Sequence, residues 1–194
     1  MLKEWITANR SYRRFEESSR IAPETLLELA ELARLTGSAA NLQPLRFLPI
    51  HTPEGCARVF PALGWAGYLK DWEGPKPGER PAAYLLLFAD RQVSQNAQLD
   101  AGLAAQSILL GAVERKLGGC MLGNVRRGEL MESLGIDPER YELLLVIALG
   151  VPAERVTIEP MPADGDIRYW RDEAGGHHVP KRALEDLLLS AKEA

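Results

Sequence analysis

Three arginines fall within five residues near the N-terminus, in Asn9-Arg10-Ser11-Tyr12-Arg13-Arg14-Phe15, although the 194-residue chain has a formal net charge of -4. Arg10 and Arg13, with the hydroxyl of Ser11 between them, would present donors within one helical turn or along one side of an extended segment. Such a set suits a phosphate, which accepts paired bonds from guanidinium groups. The same run also reads as a solvated face balanced by Glu16 and Glu17, and the local pattern leaves both readings open. A second polar set is Gly37-Ser38-Ala39-Ala40-Asn41-Leu42-Gln43-Pro44. Its side-chain amides can read the edge of a heteroaromatic ring and its small residues allow close approach, or it simply joins a helix to a strand. In a third set, Gly118 and Gly119 either end a helix or, with Cys120, turn backbone N–H groups toward a ligand. A fourth is the basic pair Lys181 and Arg182, which follows His177-His178 and opens a last helix, with a plain surface patch as the alternative.

Other chemistry is missing. Neither common phosphate-loop signature occurs, and there is no G-x-S-x-G elbow. His51, His177 and His178 are not spaced as a zinc site, Cys56 and Cys120 form no C-x-x-C pair, and the carboxylates form no acid/base motif. No metal site and no catalytic side chain are therefore expected. A sequence pI near 5.5 argues against a nucleic-acid partner. The first ten residues mix charges and lack a signal-peptide pattern, and the longest apolar run, residues 143–149, is too short for a membrane span. Cytoplasmic residence is the expectation.

Hydrophobic spacing supplies the elements that must position these sets. Residues 23–35 have helical periodicity with Pro23 in the first turn. Residues 46–51 read as an edge or irregular strand, because Pro49 removes a ladder donor, and 53–63 as a short helix. Residues 64–81 are dense in Gly, Pro and Trp and are expected to form a long loop or lid, with Trp65, Tyr68 and Trp72 either covering a site or packing beneath the loop. The continuous apolar run 82–89 reads as a strand buried on both faces. Residues 96–117 form the longest helical pattern, apolar on nearly all sides, and are expected to be a central buried helix. A short strand from Cys120, a helix over 127–134 closed by Gly135, and a core strand over 142–149 complete the body. Residues 153–182 are polar with little periodicity and are expected to form an arm across another surface, before a helix over 183–191. Strands and helices do not strictly alternate, so the class is α+β, organised as a body over 1–152 and a C-terminal arm and helix over 153–194 of the same domain.

Taken in order, the four sets resemble the FMN-dependent nitroreductase family. That family shows an N-terminal R-S-x-R element, a P-S-x-x-N-x-Q-P-W-like segment, a long central helix followed by a Gly-rich strand start, and a basic C-terminal residue. The likeness runs from Arg10 to Leu184. It implies a central, mostly antiparallel sheet flanked by helices, with the arm crossing to the partner subunit of a homodimer. By the same resemblance, Arg10, Ser11 and Arg13, joined by Lys181 or Arg182, contact the FMN phosphate and ribityl chain. Ser38, Ala39, Asn41 and Gln43 meet the isoalloxazine ring from the partner subunit, while Gly118, Gly119 and Cys120 approach its reactive side. NADH or NADPH would deliver a hydride to flavin N5, and a nitroaromatic or quinone would remove the electrons. The sequence departs from the pattern at Asn9, Gly37 and Leu45, where the family often has Arg, Pro and Trp. A flavin carrier or sensor without turnover, a non-flavin interaction module, and dehalogenating or flavin-fragmenting reactions of related enzymes are the alternatives.

Overall fold

The computed structural model describes residues 2–189. Helix α1 (Leu2–Ala8) leads through an extended stretch to α2 (Pro23–Arg34), then β1 (Leu45–Ile50), α3 (Pro53–Val59) and β2 (Ala83–Asp90). Helix α4 (Gln98–Glu114), β3 (Gly118–Leu122), α5 (Arg127–Leu134) and β4 (Tyr141–Gly150) follow. Four strands form one sheet in the order β1-β2-β4-β3, with every pair antiparallel. The α+β class is therefore correct. Pro49 sits on an edge strand, where its missing N–H breaks no ladder on the open side.

Strand β2 is buried along its whole length because both sheet faces are covered. Side chains alternate across a strand, so Tyr84, Leu86 and Phe88 enter one core with Phe15, Val59 and Leu130. Leu85 and Leu87 enter the other with Leu26, Leu29 and Ile108. Small residues Ala101, Ala104, Ala105 and Ala112 let α4 lie close against α2 and the sheet. Only one face of α4 is buried in the chain, however: Leu99 is 77% exposed and Leu103 is 52% exposed. The expected central buried helix is therefore buried along one face within the single chain.

The region after Val151, expected as a polar arm across another surface, carries a small sheet of its own. A three-stranded sheet joins β5 (Val156–Pro160), β6 (Trp170–Arg171) and β7 (His177–Lys181) in the order β5-β7-β6. Its strands are short and mostly half-exposed, so the burial pattern that marks a core strand is absent. Lys181 ends β7 rather than opening a helix. Beyond it, residues 183–189 hold only a single turn of 3-10 helix, Glu185–Leu187; the rest of the expected helix, residues 190 and 191, lies outside the described residues. Among the described residues, no helix is long and apolar enough to cross a membrane.

Candidate functional site

The N-terminal basic segment is extended rather than helical, and the sheet holds it in place. Ser11 bridges to Gly119 at the free edge of β3, with Tyr12 N–H donating to the Gly119 carbonyl at 3.0 Å. Phe15 bridges to Pro152, and Ala153 N–H donates to the Arg14 carbonyl at 2.9 Å. This close approach explains the glycines. A Cβ on Gly118 would lie 2.5 Å from Tyr12 Cδ2, and one on Gly119 would lie 2.6 Å from the Ala148 carbonyl oxygen. They do not end α4, where Lys116 takes the left-handed position instead, with φ 59°.

Arg10, Ser11, Arg13 and Lys181 line one cavity of about 320 Å³. Segments near both termini thus converge, β7 carrying Lys181 across to the stretch that follows α1. Arg182 is exposed and is not part of this wall. The solvated-face reading of the arginines fails on the same geometry. Glu16 accepts from Ser19, Glu17 accepts from Gly78 N–H, and of the three arginines Arg14 has a carboxylate partner, Glu79 at 3.6 Å. Among the described residues, no ion pair engages Arg10, Arg13 or Lys181.

The guanidinium groups are held by neutral partners. Arg10 Nη2 donates to the Ile6 carbonyl at 2.7 Å. Arg13 Nη1 donates to the Ser11 carbonyl at 3.1 Å, and its guanidinium carbon lies 4.8 Å from the Tyr169 ring centroid. Because a guanidinium only donates, His177 Nε2 accepts from Arg13 Nη1 at 3.3 Å. Burial, reinforced by the Arg13 charge, pushes the His177 imidazole down to about 4, so it is neutral near pH 7. Burial also lowers Arg10 from its ordinary value. The Nε atoms of Arg10 and Arg13 are buried without a partner. Both side chains are half-buried, and among the described residues neither has a carboxylate partner.

Glu154 accounts for the carboxylate nearest this cluster. It is almost wholly buried and accepts from the backbone N–H of Arg13 at 2.5 Å and of Arg14 at 3.1 Å. Its other oxygen accepts from Arg171 Nη2 at 2.9 Å. Glu154 therefore fixes the main chain beneath Arg13 while its charge is matched by Arg171, which itself stacks on Trp72 at 4.1 Å.

The remaining sequence-selected residues are distributed differently. Ser38 and Gln43 border a second cavity of about 400 Å³ between α2 and β1, while Ala39 and Asn41 sit on the exposed turn beside it. Within one chain these residues do not join the arginine cavity. Gly118, Gly119 and Cys120 are buried behind its wall, and Met121 is the β3 residue that faces it. Burial raises the Cys120 thiol above its ordinary value. The loop over 64–81 sends Trp65 into the core against Phe60 rather than over the cavity. Only Tyr68 approaches, packing on Tyr169 with centroids 4.9 Å apart.

Sequence reasoning missed Tyr169, Gln106 and Met121 in the cavity wall, and Glu154 and His177 behind it. Gln106, the one amide in the largely apolar stretch Leu103-Ala104-Ala105-Gln106-Ser107-Ile108, carried a readable signal. Tyr169, Glu154 and His177 carried none, since only the small sheet brings them to the N-terminal segment.

An antiparallel sheet with helices on both faces, beside a cavity lined by Arg10, Arg13 and Lys181, defines an α+β protein. The match of residues 6–151 to the Nitroreductase family model is specific enough to place it: the chain belongs to the Nitroreductase family. A Bacillus subtilis (strain 168) protein described as a candidate NAD(P)H nitroreductase, YdgI, is 26% identical in an alignment 184 positions long that covers 78% of this chain and 88% of that protein. A Desulfovibrio desulfuricans protein described as a candidate nitroreductase, solved in complex with FMN, has 26% identity and a TM-score of 0.71, covering 100% of this chain and 98% of its own. An enone reductase of gut-bacterial fatty acid saturation shares the fold, with a TM-score of 0.68 at 19% identity over 84% of this chain and 93% of its own.

Proposed function

We propose that the chain is an FMN-dependent oxidoreductase that uses NADH or NADPH to reduce a small aromatic or quinone-type acceptor such as a nitroaromatic. The observation that carries this reading is the convergence of Arg10, Arg13 and Lys181, without a carboxylate counter-ion, on one cavity. The cavity fits a phosphate through the guanidinium groups of Arg10 and Arg13, which line it with Nη donors that no carboxylate engages. The FMN bound in the Desulfovibrio desulfuricans relative supports the same choice of anion.

In this reading Arg10 and Arg13 bind the phosphate with charge-assisted bonds, and Lys181 adds a positive charge from the opposite side. Ser11 offers its hydroxyl to the ribityl chain. Neutral His177 accepts from Arg13 and, with the Tyr169 ring, fixes the guanidinium plane without competing for the anion. The carboxamides of Asn41 and Gln43, brought by the partner subunit of a homodimer, complement the polar edge of the ring. The chemistry that FMN supplies when bound is hydride acceptance from the nicotinamide and electron delivery to the acceptor. The protein's share is position, exclusion of water and electrostatics, and no side chain serves as nucleophile.

The test is the visible spectrum of the protein loaded with FMN, followed without oxygen on addition of NADH and NADPH separately. Loss of the flavin absorbance with one nucleotide, and its return on adding a quinone or nitroaromatic, is expected. Bound flavin that neither nucleotide bleaches would instead mark a carrier or sensor. A chain that takes up no FMN would refute the cofactor.

A further inference from the structure

Asp100, in the first turn of α4, is 4% exposed, a rare setting for a carboxylate unless its oxygens are engaged. Both engagements lie on the loop that holds the carboxamides. Ser38 Oγ–H donates to Asp100 Oδ2 at 2.5 Å, and Ala39 N–H donates to Oδ1 at 3.1 Å. The Ser38 oxygen in turn accepts from Gln43 N–H at 2.9 Å, so one carboxylate fixes both ends of the turn.

The turn it fixes is strained. Ala40, Asn41 and Gln43 all have left-handed backbones, with φ of 49°, 55° and 52°. Side chains other than glycine rarely adopt that region, and such a conformation persists only where its surroundings impose it. The product is a defined polar edge on an exposed surface: Gln43 Nε2 donates to the Asn41 carbonyl and to Asn41 Oδ1, each at 3.2 Å. Carboxamides that merely faced water would need neither the strain nor a buried carboxylate beneath them.

We propose that Asp100 is a positioning residue that preorganises Asn41 and Gln43 to read the edge of a flat heteroaromatic ring. This rests on the flavin reading above. Preorganisation of this kind raises affinity by removing the ordering cost at binding. Its signature differs from that of the arginine cavity, because a ring-side defect acts alike on a flavin with or without phosphate.

Dissociation constants for FMN and for riboflavin, from quenching of flavin fluorescence, test this on the wild-type chain, Asp100→Ala, Asp100→Asn and Arg13→Ala. Asp100→Ala is expected to weaken both flavins by a similar factor of about ten or more, the scale of a lost charged hydrogen bond. The bound flavin bands should move toward those of the free molecule. Asp100→Asn keeps an acceptor for one loop donor and is expected to recover part of the loss, whereas Arg13→Ala weakens FMN alone. The proposal is overturned if Asp100→Ala binds both flavins with wild-type affinity and spectrum. It is also overturned if the loss tracks a lowered melting point of the flavin-free protein and Asp100→Asn restores folding but not affinity. A wild-type chain that binds neither flavin removes the flavin reading itself, an outcome visible before any variant is compared.

Discussion

Replacing Arg13 with Ala removes a cation that no carboxylate neutralises, whose Nη1 bonds Ser11 and His177 and whose Nε is buried without a partner. The Nη2 donor left over is the one a phosphate would use, so the loss is one charge-assisted interaction, about 1.5–3 kcal/mol in a half-buried setting. At about 1.4 kcal/mol per decade, that is roughly a 10- to 150-fold rise in the FMN dissociation constant. Riboflavin, which has no phosphate, should bind the variant within about two-fold of wild type, within the scatter of surface substitutions. Titration of both flavins against the flavin-free protein, at low and high salt, separates the two contributions. The wild-type preference for FMN over riboflavin should shrink with added salt, and Arg13→Ala should reduce that dependence. Equal losses for both flavins, or no loss for FMN, would refute the assignment of Arg13 to the phosphate.

The other expectations follow from particular contacts. Lys181→Ala, an exposed cation on the cavity wall, should weaken FMN by about two- to five-fold, the scale of an exposed charge pair, while Arg182→Ala should leave the same titration unchanged. Gly118→Ala would drive a methyl group against the Tyr12 ring and Pro152; overpacking costs about 1–3 kcal/mol, which predicts a melting point lower by roughly 2–12 °C. His178 is bonded to Glu159 at 2.7 Å and Asp172 at 3.0 Å and stacks on Trp170, tying the three strands of the small sheet together. The Asp172 bond first, then Glu159, raises its folded value above the ordinary 6.5. Its contribution is thus complete below about pH 6.5 and is lost as pH rises through the raised value. The melting-point advantage of wild type over His178→Gln should therefore shrink between about pH 6 and pH 9, and an advantage that grew with pH would contradict the contact.

What the sequence made legible was what local pattern can encode. The continuous apolar run over 82–89 read as a strand covered on both faces, and the small residues of α4 announced a closely packed helix. Arg10 and Arg13, with Ser11 between them, stood out because the arginine charge opposes that of the chain as a whole. The choice between Lys181 and Arg182 was not legible, since it depends on the register of β7 against β5, with Lys181 opposite Pro160. Gly118 and Gly119 looked like a helix stop because proximity to Tyr12 and Ala148 is a tertiary fact. Asp100 and Glu154 were passed over for the same reason: each carboxylate acts on backbone N–H groups distant in sequence, and nothing in its neighbours along the chain marks it.

A structure of the FMN-loaded protein tests the central claim most directly. The account predicts the phosphate within hydrogen-bonding distance of the Arg10 and Arg13 guanidinium groups, with the Lys181 ammonium beside it, so that residues from both ends of the chain grip one anion. A phosphate seated away from Arg10 and Arg13, whether in the cavity between α2 and β1 or elsewhere, would contradict it.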